Sequence, residues 1–179
     1  MVNDLSPLKN LTNLTELIIE SDELSDITPI NGLTNLETLT ISGKITDITP
    51  IKSLTKLKSL SINGDYITNK IIIKDISPIK DLVDLEFLTL SNLGISDLTP
   101  LKGLKNLKSV TFFINKITDI SPLAELKKLE EAHLMSNLIS DITPLKGLKQ
   151  LKRLSLGDNK ISESDIKALK KTLPDCEIT

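Results

Sequence analysis

Seven times, about every 22 residues, the chain repeats one phrase: Asp, an aliphatic residue, Ser or Thr, Pro, an aliphatic residue. The phrases begin at Asp4, Asp26, Asp47, Asp75, Asp97, Asp119 and Asp141, so successive spacings are 22, 21, 28, 22, 22 and 22. A fixed period of this length is the mark of a solenoid, in which each repeat is one coil that cannot bury its apolar face alone. Stacking neighbours closes the core, and stability becomes a sum of nearest-neighbour interfaces. A chain built this way works through its surfaces.

Between the Asp-Pro phrases lies a second one, Leu-x-x-Leu-x-Leu-x-x-Asn-x-Ile. It is cleanest at Leu129, Ala132, Leu134, Asn137, Ile139 and at Leu151, Leu154, Leu156, Asn159, Ile161. This is the leucine-rich repeat pattern, whose Leu-x-Leu centre forms a short strand. With the 22-residue period and the Asp-Ile-Thr/Ser-Pro-Leu ending, the chain resembles the repeat domain of the bacterial internalins and related secreted or surface proteins over nearly its whole length. The resemblance implies an α/β leucine-rich repeat solenoid, a curved right-handed coil. A parallel sheet would line its concave face and short 3-10 turns its convex face. It also implies a protein-recognition role in adhesion or host and cell interaction, and a secreted or cell-surface location.

The residues explain the coil without the family. Strand side chains alternate between faces, so pairs such as Leu39 and Ile41, Leu88 and Leu90, or Val110 and Phe112 stack inward. Asn115, Asn137 and Asn159 stand where the chain leaves its strand, with amides placed to bond backbone groups of neighbouring turns. Asp22 and Asp65 are expected to do part of this work in the first half, and Leu93 cannot. Repeat two is one residue short between Ile41 and Ile45, which predicts a local distortion. The Asp column invites a calcium reading, but each Asp stands three residues before a Pro, where its carboxylate can cap a turn. Calcium needs several oxygens converging on one point, so no metal site is expected.

A single domain spans residues 1–179. Ser164 to Pro174 has a capping start, apolar spacing and a Pro stop, which predicts a helix within a C-terminal cap over 163–179. A last strand is expected at Cys176 to Thr179. No comparable cap opens the chain, which suggests a fragment of a longer protein or an N-terminal end that meets another chain, self-association included. Glu16 and Glu20 would oppose edge-to-edge pairing.

The mixed charge, net -2, and 2% aromatic residues give no support to a nucleic-acid partner or a strongly charged membrane surface. No apolar stretch is long enough to cross a bilayer. Cys176, the single cysteine, leaves the compartment open, the cytoplasm included, and reads as a small buried residue. One His, one Cys and no phosphate-binding loop form no catalytic constellation, so neither an enzyme nor a cofactor is expected.

The outward strand positions form three rows, and 12 of their 21 residues are Ser, Thr, Asn or Gly. Against that background Phe87, Phe113 and Met135 are apolar anchors, with His133, Glu131 and Arg153 beside them. Aromatic and Arg side chains of this kind favour interface hot spots, so these six are the candidate contacts for a protein ligand. The insertion after Asp65 is a second candidate, with Tyr66, Asn69 and Lys70 as loop contacts, and either Ile67 or Ile73 could be that coil's core isoleucine. The competing reading is a structural spacer or self-assembling repeat with no concave-face ligand.

Overall fold

The computed structural model describes residues 3–65, 73 and 75–179. Among these residues, eight parallel strands follow one another in chain order in a single sheet. They are β1 (Glu16–Glu20), β2 (Thr38–Ser42), β3 (Ser59–Asn63), β4 (Phe87–Ser91), β5 (Ser109–Thr111), β6 (Glu131–His133), β7 (Arg153–Ser155) and β8 (Glu177–Ile178). Among the described residues, seven 3-10 turns, each with Pro in its first turn, carry the return path, and one helix, α1 (Glu163–Thr172), follows β7. This is the leucine-rich repeat solenoid, with the sheet along its concave side.

Each coil therefore has two edges. The trailing edge runs from a strand to the next turn, and the leading edge runs from the turn back to the next strand. On the leading edge the distance is constant: every strand from β1 to β7 starts nine residues after its Pro. All length variation falls on the trailing edge.

The core is one continuous column. Leu39, Ile41, Leu60, Ile62, Leu88, Leu90, Val110, Phe112, Ala132 and Leu134 are all buried. Leu17 and Ile19 of β1 have a neighbour on one side only, and Leu17 remains half-buried. The missing residue of repeat two leaves β2 in full register with both β1 and β3. It is absorbed just after the strand at Gly43, whose φ is +155° and whose missing Cβ would lie 2.5 Å from the Leu24 carbonyl oxygen. Only glycine fits so close a backbone approach. In repeat three, Ile73 takes the core position, 2% exposed, with its N–H bonded to Leu93 O at 2.9 Å. Ile67 lies outside the described residues.

The Asp column caps the turns. In all seven phrases Oδ1 accepts the N–H of the Ser or Thr two residues on, at 2.7 or 2.8 Å. At Asp75 the Ser77 N–H and hydroxyl hold the carboxyl below its ordinary value. The hydroxyl and N–H of the Ser or Thr two residues on lower Asp4, Asp26, Asp47 and Asp141 in the same direction.

The Asn ladder occupies only the second half. Asn115 Oδ1 accepts from Leu93 N and Ile95 N at 3.2 and 3.1 Å, while its amide donates to Leu90 O at 2.8 Å. Asn137 bridges Ile117 N and Phe112 O at 3.1 and 2.7 Å, and Asn159 bridges Ile139 N and Leu134 O at 3.0 and 2.9 Å. One expectation needs correction: Asp22 is exposed and makes no such bond. Leu93 is buried in the core and makes none either, and Asn92 beside it donates its amide to Asp65 O at 2.9 Å. The residue before each of these positions also changes character: it is Gly43 and Gly64 early, then Ile114, Ser136 and Asp158 with φ of 53 to 56°.

At the C-terminus the helix starts earlier than the sequence suggests. Ser162, not Ser164, is its N-cap and accepts from Asp165 N at 3.1 Å. The last strand is Glu177–Ile178, and Thr179 extends its bonding through Leu156 N and Leu154 O. Cys176 is buried, and burial raises its thiol pKa.

Candidate functional site

The sheet register places each candidate. Phe87, Ser109, Glu131, Arg153 and Glu177 form one row at the strand starts, and Thr89, Thr111, His133 and Ser155 form the next. Phe113 and Met135 lie past the ends of β5 and β6, and the bonds from Asn92 N to Phe113 O and from Ile114 N to Met135 O carry the inter-coil bonding out to them.

The six residues thus divide. Glu131, His133 and Arg153 form a connected polar group. The Glu131 carboxylate pairs with the Arg153 guanidinium and lies 3.6 Å from His133 Nε2, while His133 Nδ1 is 3.3 Å from Ser155 Oγ. The Ser155 hydroxyl also accepts from Thr179 at 3.2 Å. Phe113 and Met135 are neighbours on adjacent coils, with Met135 38% exposed and its methyl carbon over Gly157. Phe87 is 49% exposed but sits four residues back along the strand from Phe113's row, roughly 13 Å at strand rise. Tyr66, Asn69 and Lys70 lie outside the described residues.

Two features escape a reading based on residue type alone. Ile114, between Phe113 and the Asn115 ladder residue, has φ of 53°, a left-handed conformation that a β-branched side chain resists. The second is a charge ladder just before the strands, in which Glu37 pairs with Lys58, Glu86 with Lys108 and Glu130 with Lys152, at 2.7, 2.6 and 2.6 Å. The alternation Glu37, Lys58, Glu86, Lys108, Glu130, Lys152 is visible in the sequence once the strands are aligned. Such exposed pairs each contribute little to stability, but they neutralise that row.

Among the described residues no group of His, Cys, Asp or Glu could hold a metal ion. No helix among them is long and apolar enough to cross a membrane.

Stacked parallel coils with an open sheet face define a leucine-rich repeat scaffold, and the chain belongs to the leucine-rich repeat family, whose profile (Leucine Rich repeats, 2 copies) matches residues 34–81, 83–125 and 127–171. Within that class it is internalin-like. Internalin C2 of Listeria monocytogenes is similar at TM-score 0.87 and 30% identity, over 99% of this chain and 76% of that one. An internalin of the same organism, InlF, is similar at 0.74 and 31% identity, over 99% of this chain and 56% of that one. A leucine-rich repeat protein of Leptospira interrogans shares the fold at TM-score 0.73 and 22% identity, over 99% of this chain and 51% of that one. No curated protein sequence matches the chain. The leucine-rich repeat family is one of protein-interaction modules.

Proposed function

We propose that the chain is the recognition module of a secreted or surface bacterial protein and binds a protein ligand on the C-terminal half of its concave face. The observation that supports this most directly is an apolar step, Phe113 and Met135 at the strand ends, with a connected polar group that runs from His133 and Ser155, two residues back, to Glu131 and Arg153 at the strand starts. Apolar anchors beside a rim of satisfied polar groups are what a protein interface requires. Elsewhere the concave rows carry mostly small hydroxyl residues such as Thr40, Ser61 and Thr89, which offer no anchor. The likeness to internalins supports the bacterial, secreted or surface setting and a role in adhesion or host contact.

Those bland rows also favour the second reading, a spacer that uses no concave-face ligand. Affinity capture from host-cell surface extract and bacterial lysate separates the two. The comparison is the parent chain against Phe113→Ala with Met135→Ala, and separately against Phe87→Ala, each checked for unchanged thermal unfolding. A protein retained by the parent and lost by the double variant is the expected result. Equal capture by parent and double variant would sink the patch, and no capture at all would favour the spacer.

A further inference from the structure

The leading edge, from each Pro to the start of the next strand, changes in charge along the molecule. In the first four coils these segments carry five lysines against four carboxylates. In the three coils that begin at Pro100, Pro122 and Pro144 they carry eight lysines against two. Ion pairs absorb part of this excess, since Glu86, Glu125 and Glu130 pair with Lys108, Lys105 and Lys152. Asp141 partly offsets Lys146. Lys102, Lys127, Lys128 and Lys149 remain exposed, with no carboxylate in ion-pair range among the described residues. The capping Asp97 and Asp119 stand at the other end of the turns, each bonded to its own turn.

Lys105, Lys127 and Lys149 hold the same place on successive coils, five residues after the Pro, where the earlier coils have Thr12, Thr34, Thr55 and Val83. Coils lie about 4.8 Å apart at the sheet, and like charges stacked at that spacing cost stability. Three residues further on, Glu86, Lys108, Glu130 and Lys152 alternate in sign and pair. The same coils thus neutralise one row and leave its neighbour positive. Lys127 and Lys149 reach only backbone carbonyls, those of Ala124 and Thr172 at 2.6 and 2.9 Å. Where Glu125 serves Lys105, the matching place beside Lys127 is Gly147, whose missing Cβ would lie 3.5 Å from Lys127 Nζ. We propose that this flank is a second binding surface, apart from the concave face, and takes a linear sulfated polysaccharide. Lysine ammonium groups are compact point charges suited to anions strung along a chain, and such a chain can follow the row from coil to coil. The three segments contain no aromatic residue on which a nucleic-acid base could stack. All their leucines are buried, so none is offered to a bilayer. The net charge of -2 repels a polyanion elsewhere, so attraction is confined to this strip.

Binding of short heparin fragments to the immobilised chain tests this, beside a single-stranded oligonucleotide of equal charge and phosphatidylserine vesicles. The expected result is heparin binding at low salt that weakens about tenfold at moderate salt, as condensed counterions are released from the polyanion. The triple variant Lys105→Gln, Lys127→Gln, Lys149→Gln should bind at least roughly tenfold less, with a shallower salt dependence and unchanged thermal unfolding. Lys102→Gln with Lys128→Gln gives a second, independent loss. The control Lys9→Gln, Lys116→Gln, Lys160→Gln makes the same change in net charge off the strip and should bind like the parent. No heparin binding, binding that ignores the strip variants, or an equal loss in the control would overturn the proposal. Oligonucleotide or vesicle binding as tight as that of heparin would also overturn it, and would assign the strip to a nucleic acid or a membrane.

Discussion

At the scale of single residues, the trailing turn is where this chain departs from simple repetition. Asn137 satisfies groups of its own coil and of the coil before it, so Asn137→Ala strands the Ile117 N–H and the Phe112 carbonyl in a buried setting. Each orphaned group costs about 1–3 kcal/mol, and urea unfolding should show a lowered midpoint with the slope retained. Ile114 is the opposite case. A left-handed L-residue costs about 1–2 kcal/mol, and Asn92 holds the same conformation one coil earlier at φ 55°. Ile114→Asn is therefore expected to raise stability by up to about 1 kcal/mol, measured by the same unfolding curve. The capping aspartates give a pH signature. Their folded-state pKa values lie below the ordinary value of 3.8 at Asp4, Asp26, Asp47, Asp75 and Asp141. Their contribution is thus complete above that value and is lost as pH falls through the lower folded value. Denaturation midpoints measured from pH 5 downward should fall below about pH 4, and Asp75→Asn, which keeps an acceptor but cannot titrate, should make that fall shallower.

At the scale of elements, burial depends on how many neighbours a coil has. Leu88 in β4 is 1% exposed between two strands, whereas Leu17 in β1 is half-buried beside one. Leu88→Ala should cost roughly 2–5 kcal/mol, and Leu17→Ala clearly less; equal losses would mean the column is not a chain of nearest-neighbour interfaces. Much of this level is legible in sequence, because Leu-x-Leu alternation and the Asp-Pro phrase are local signals tied to one strand and one turn. The helix start was misplaced because Ser162 and Ser164 both suit an N-cap by type. Only the backbone shows that Ser162 is extended, at φ -74° and ψ 150°, and receives the Asp165 N–H. The bond from Asn92 to Asp65 was illegible for a related reason: Asn92 stands one position before the repeat's Asn column, in a left-handed turn that no spacing rule announces.

For the whole molecule, the candidate site was legible as rows but not as a shape. Period and alternation identify Phe87, Phe113 and Met135 as outward, yet the strand register sets Phe87 apart from the other two and joins Glu131, His133 and Arg153 into one group. The constant nine-residue step from each Pro to the next strand has a consequence of its own. It acts as a ruler, laid down once per coil, that keeps every strand aligned with the last whatever happens on the other side. Coils of 21, 22 and 28 residues therefore share one sheet. Such a scaffold can gain or lose residues between a strand and its following Asp without disturbing its neighbours, so new recognition loops can be installed on one side of the protein while the other side keeps the count.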